Sequence, residues 1–178
     1  MRSQQSWSRT CVITALASSY ALWPERVGAQ ETYADAIAAA EREGARHPRS
    51  AASAATPRRC TLVTRQVEAS GDFESRGWAN YAAVWYSGAA KLTWWPTHPR
   101  VGDTLTVRVI SAEHDNDTTA FFVGGPVRSG GSDAYLYPSS VRPARPGAWL
   151  FVATAGKNWG CFLYTLPATN PGMVPRPE

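Results

Sequence analysis

Lysine is nearly absent. Only Lys91 and Lys157 stand beside 16 arginines in 178 residues, and the net charge is just +4. Half of that excess sits near the N-terminus. Without Arg2, Arg9, Arg26 and Glu25, the 18 basic groups fall to 15 and the 14 acidic groups to 13, a balance of +2. A chain this close to neutrality lacks the clustered basic face that nucleic acid requires, so nucleic acid is excluded as a partner. Histidine is scarce as well. His47, His98 and His114 are scattered, whereas histidine metal sites use close pairs on one element. Neither a Gly-x-Ser-x-Gly elbow nor a Ser-x-x-Lys motif occurs. A triad assembled in space leaves no such mark, so a small secreted enzyme with an unrecognised site stays open as a third reading. There is no internal repeat. No apolar run reaches the roughly 20 residues of a membrane-spanning helix.

Cysteine is the third scarcity, and the N-terminus gives it meaning. Arg2 and Arg9 precede the apolar run Cys11–Trp23, and Val27-Gly28-Ala29 follows with compact residues. This order is that of a signal peptide cut after Ala29, so residues 1–29 are expected to be removed and the product to be periplasmic or secreted. The alternatives are a buried N-terminal helix or an uncleaved, membrane-associated leader. Cleavage discards Cys11 and leaves Cys60 and Cys161. An even pair in an exported chain, without Cys-x-x-Cys spacing, is most simply a disulfide. In the chain-entropy view, closing a loop of about 100 residues contributes up to about 4.7 kcal/mol.

Residues 30–59 divide in two. Glu31–Glu43 is rich in Ala and Glu, with Thr32 as a cap and Gly44 as a stop, which predicts a short helix. Ala45–Arg59 combines Pro, Ser and Ala with five basic residues counting His47, and reads as a basic linker. The texture then turns to β over 60–166. Strands are predicted at Cys60–Ala69, Trp78–Ser87, Ala89–Trp95, Asp103–Ser111, Thr118–Val123, Tyr135–Tyr137, Ala148–Ala155 and Trp159–Leu166. Leu105, Val107 and Val109 alternating with Thr104, Thr106 and Arg108 give the clearest period of two. Gly124–Asp133 reads as a flexible glycine-rich loop. The segment 167–178 holds four prolines and reads as a disordered tail. About seven short strands with frequent turns, and no helix–strand alternation, predict an all-β antiparallel sandwich or barrel.

Two strand openings carry a resemblance. Arg100-Val101-Gly102-Asp103-Thr104-Leu105 precedes one strand, and Pro146-Gly147-Ala148-Trp149 opens another before Trp159-Gly160-Cys161-Phe162. Over residues 60–166 this resembles secreted bacterial immunoglobulin-like β-sandwich domains. The resemblance implies architecture and no functional residues. It also departs from the antibody pattern, whose disulfide joins two mid-chain strands, while Cys60 and Cys161 stand at the first and last predicted strands.

Two groups of residues bear on function. Asp115 and Asp117 in Glu113–Asp117, with Asp133 from the glycine-rich loop, are oxygen donors suited to Ca²⁺. A solvated hairpin loop uses the same residue types for its own turns, and the spacing is not that of an EF-hand. The aromatics are the stronger lead. On a strand, Trp94 and Trp95 point to opposite faces. With Leu92 and Trp94 inward, Trp95 faces out beside Lys91 and Thr93. With Cys161 and Leu163 inward, Phe162 and Tyr164 face out. Exposed aromatics on neighbouring strands make an apolar binding patch, unless the helix and linker cover them. The leading expectation is a non-catalytic β-sandwich without cofactor. Its partner would be an envelope protein, as in an extrinsic subunit of a membrane complex, with the basic linker against anionic lipid. The alternative is a carbohydrate-binding module using Trp95.

Overall fold

The computed structural model describes residues 25–49, 51, 54, 57–114, 118–130 and 134–171, with side chains from Tyr33 onward and excluding 118–123. The protein is an all-β sandwich of two five-stranded sheets with one long helix laid outside. Ten strands occur among the described residues. They are β1 (Thr61–Leu62), β2 (Val67–Ser70), β3 (Phe73–Arg76), β4 (Leu92–Pro96), β5 (Leu105–Ser111), β6 (Thr118–Gly124), β7 (Val127–Arg128), β8 (Tyr135–Ser139), β9 (Gly147–Ala155) and β10 (Asn158–Leu166). The first sheet has the order β1-β10-β9-β5-β6 and the second β2-β3-β4-β8-β7. All pairings are antiparallel except β1 with β10, which run parallel.

Helix α1 runs Glu25–Arg46, longer than the predicted Glu31–Glu43. The expected cut after Ala29 falls within its first two turns, and residues 1–24 lie outside the described residues. No helix among the described residues is long and apolar enough to cross a membrane. Gly44 does not stop α1. It lets the helix approach Trp159 closely: a Cβ there would lie 2.6 Å from the indole ring. Tyr33, Ala36, Ile37 and Ala40 pack with Leu150, Val152, Trp159, Cys161 and Leu163 on the outer face of the first sheet.

This cover explains β9 and β10. Both strands are buried on two faces, so their sequences are nearly continuous apolar runs. Cys161 and Leu163 face α1. Phe162 faces the other way, into the space between the sheets, with Phe151, Trp149, Val107, Val109, Trp94 and Phe73. That inverts the orientation expected for the last strand. Period two fixes which residues share a face, but with both faces apolar it gives no sign of which face meets the second sheet.

The predicted strand Trp78–Ser87 is a correction. The segment is a 3₁₀ turn, Trp78–Asn80, running into the short helix α2, Tyr81–Tyr86. Its aromatics suggested β, yet Trp78, Tyr81, Ala82 and Trp85 recur at the spacing of a helical face. Trp78, Tyr81 and Ala82 are buried and Trp85 packs partly against the same core. Trp78 is the hub of the inter-sheet core, with ring centroids 5.2 Å from Phe151, 5.3 Å from Tyr164, 5.9 Å from Phe162 and 6.1 Å from Trp94. The predicted Cys60–Ala69 strand is two, β1 and β2, in different sheets. The chain changes sheet between them at a turn held by the buried Glu68 carboxylate, which accepts the N–H groups of Thr64 and Arg65 and the Thr64 hydroxyl. The glycine-rich loop contains β7.

Cys60 and Cys161 form a disulfide, as expected. It joins β10 to the residue just before β1, so it clips neighbouring chains of one sheet rather than spanning the sandwich. The Cys60 N–H donates to Glu41 Oε1 of α1, tying the helix to the same point at 3.0 Å.

Candidate binding face

Among the described residues no helix packs on the outer side of the second sheet. Its alternation is regular: Phe73, Ser75, Leu92, Trp94, Tyr137 and Ser139 are buried, and the residues between them face out. Strand register arranges the outward residues in two rows. One row runs Ala69, Glu74, Trp95 over β2–β4 and continues as Leu136, Val127 over β8 and β7, Trp95 and Leu136 each lying one residue past the last β4–β8 pair, Trp94 with Tyr137. The other runs Val67, Arg76, Thr93, Pro138. An outward sheet face in water is ordinarily polar. Here six of the nine positions are apolar, and Val67 and Val127 are 40% and 50% exposed.

Trp95 stands at the middle of the first row. The Arg76 guanidinium lies 4.9 Å from its ring centroid, a cation–π contact that covers one ring face. Arg76 also donates to Glu74 Oε1 at 2.6 Å. These two charges therefore neutralise each other. The Trp95 indole Nε1 is buried and finds no hydrogen-bond partner among the described residues. The outer surface of the face offers apolar area, one internally paired charge couple and Thr93, with the exposed Lys91 beside Pro138 at its margin.

The other expected members of an aromatic surface are elsewhere. Phe162 is fully buried. Tyr164 is half-buried against Trp78 and Tyr81, each 5.3 Å away, and burial raises its phenol pKa. Neither shares a surface with Trp95, because β10 belongs to the first sheet. Leu136, Val127 and Val67 do share it. Their only sequence sign is the β-type alternation of each strand, and which strands lie side by side is decided by the fold.

Asp115, Asp117 and Asp133 lie outside the described residues. Their neighbour Glu113 is committed to the fold: its carboxylate accepts the Ala148 N–H, and a Cβ on Gly147 would meet it at 2.8 Å. His114 Nδ1 pairs with Arg145. The three histidines are not brought together: His47 bonds the Gly156 carbonyl, and the backbone of His98 is held by Asn158. Among the described residues no group of three or more His, Cys, Asp and Glu is placed to hold a metal ion.

The basic linker is used internally as well. Arg58 is buried and donates to Asp72 Oδ2 and to the carbonyls of Gly44, His47, Pro48 and Lys157. One guanidinium thereby ties the end of α1 to the β2–β3 and β9–β10 turns. Arg49 donates to the Ala54 carbonyl. Two of the linker's charges are thus spent on backbone carbonyls, one of them out of reach of any lipid.

A groove of about 390 Å³ runs between α1 and β5, lined by Asp35, Ala36, Arg42, Glu43, Arg108 and Ile110. An Arg108–Glu43 ion pair bridges it. Its walls carry opposite charges that meet each other. Compared with protein-family models, curated proteins and solved structures, the chain matches none.

Proposed function

We propose that this chain is an exported, non-catalytic β-sandwich that docks onto a protein partner of the cell envelope through the open face of its second sheet. The carrying observation is the two-row apolar face centred on Trp95, on the sheet that α1 leaves uncovered. Contiguous apolar surface of this kind marks interaction sites, and aromatic anchors dominate their energetics. The Glu74–Arg76 pair is internally neutral and Lys91 adds a single positive charge at the margin of the face, too little to hold anionic lipid, which favours a largely apolar protein surface. Arg76 already occupies one face of the Trp95 ring, which leaves less of it for a sugar to stack on, so the geometry supports a glycan less well. The disulfide fits an oxidising compartment.

The strand arrangement supports an immunoglobulin-like reading of the sandwich. A first strand parallel to the last one, a four-strand row beside it, and a β7–β8 hairpin closing the second sheet are all consistent with that topology. The placement of the disulfide within one sheet is this chain's departure from it.

The test is substitution on the face. Trp95→Ala and Leu136→Asp should abolish co-purification with a membrane complex after gentle solubilisation while leaving the thermal midpoint nearly unchanged. Retained co-purification, or a change in tryptophan fluorescence on titration with glycans that Trp95→Ala removes, would overturn the reading.

A further inference from the structure

The four sheet edges are not alike. β1 has two residues, and β7 has two including Arg128. β2 has four and includes Glu68. β6 runs for seven residues at the end of the first sheet and, among the described residues, pairs with β5 on one side only. Its sequence, Thr-Thr-Ala-Phe-Phe-Val-Gly, contains no charge and no proline. Proteins guard edge strands by shortness, charge, proline or bulges, because an unguarded edge pairs with another strand. Three edges here are short, and two of those also carry a charge. The one irregularity of the β5–β6 pair lies between Val109 and Ile110, near the Thr118 end, and the register from Ala120 to Gly124 is unbroken.

We propose that β6 is a dimerisation edge. Two copies pair β6 against β6 in antiparallel fashion about a two-fold axis, joining their first sheets into one ten-stranded sheet. A second copy is the occupant this strand fits. Self-pairing about a two-fold sets each strand against its own sequence, so any charge near the axis would meet its like. An uncharged strand meets no such penalty. The nearest charge on the neighbouring strand, Arg108 opposite Phe121, is taken up by Glu43 of α1.

The geometry has a consequence. The two-fold of an antiparallel strand pair is perpendicular to the sheet, so each face keeps its identity. Both α1 helices then lie on one side of the dimer and both Trp95 faces look to the other. Two docking faces aimed the same way allow bivalent attachment. That consequence rests on the docking function proposed above, while the dimer itself does not.

Sedimentation of the purified protein across the micromolar range tests the proposal. The wild-type chain should sediment as a dimer, and Phe121→Lys should halve the mass, with circular dichroism and the Cys60–Cys161 bond intact. Hydrogen exchange on the unaltered protein serves if that variant fails to fold. Amides of residues 118–124 should exchange several-fold faster when the dimer is diluted to monomer, while those of β9 should not. A monomer at all concentrations would overturn the proposal, including one that captures an extended strand of another protein. So would a dimer that survives Phe121→Lys or whose dissociation leaves β6 exchange unchanged. Trp95→Ala should leave the dimer intact, so failure of the docking face and failure of the edge are separable.

Discussion

Two residues away from the open face of the second sheet bear on how the molecule responds to acid. His47 sits at the end of α1 beside Arg58. Burial lowers its pKa below the ordinary 6.5 and the Arg58 cation adds to this, against opposing contributions from the Gly156 carbonyl, Glu43 and Asp72. The folded chain therefore binds fewer protons there than the unfolded chain. Stability from this group is complete above about pH 6.5 and declines as pH falls through and below that value. A thermal-midpoint series should show this decline, and His47→Gln should remove that part of the slope. At Glu68, burial pushes the carboxyl up, but hydrogen bonds from Thr64 and Arg65 outweigh it and hold the pKa below the ordinary carboxylate value. Its contribution is present above that value and is lost at lower pH, a separate acid window. Arg58 carries more than either. Arg58→Ala would leave Asp72 buried without its cation and take the guanidinium donor from four carbonyls, and should cost about 3–5 kcal/mol in a denaturant titration. Arg58→Lys should rescue little, since one ammonium cannot reproduce the planar fork that reaches all five acceptors. None of this was legible in the sequence. Arg58 stood in a stretch whose composition reads as linker, and nothing local marks one arginine of several as buried.

The elements differ in how far their sequences gave them away. β5 alternates cleanly because the first sheet meets α1 over β9 and β10, and β5 keeps a mostly half-buried outer side. β9 and β10 are two-sided, so their pairing could be read as strands while their facing could not. α2 was hidden because aromatic residues suit strands, and its helical spacing spans only a few turns. α1 is visible from its alanines, but Gly44 reads as a stop and is instead a contact. An alanine at a helical glycine usually adds stability of about 1 kcal/mol. Here the added Cβ meets the Trp159 indole at 2.6 Å, so Gly44→Ala should instead destabilise by about 1–3 kcal/mol through overpacking. Thermal unfolding decides the sign, and a stabilised variant would mean that α1 does not sit against Trp159.

At the scale of the whole molecule, the arrangement is asymmetric. One sheet is sealed by α1, clipped by Cys60–Cys161 and bolted by Arg58. The other presents Val67 and Val127 exposed and Trp95 and Leu136 partly exposed. Trp95 was legible as outward-facing from its neighbour Trp94 alone. Its companions were not, because they come from β2, β7 and β8, and cross-strand register is a property of the assembled sheet. The most direct test is site-specific photocrosslinking in the native envelope. A photoreactive residue replacing Thr93 or Val127 should give one discrete protein adduct, lost on adding Trp95→Ala. The same probe at Arg42 on α1 or Lys157 in the β9–β10 turn should give none. Equal adducts at all four positions, or adducts at Arg42 and Lys157 only, would contradict a binding role for the open face.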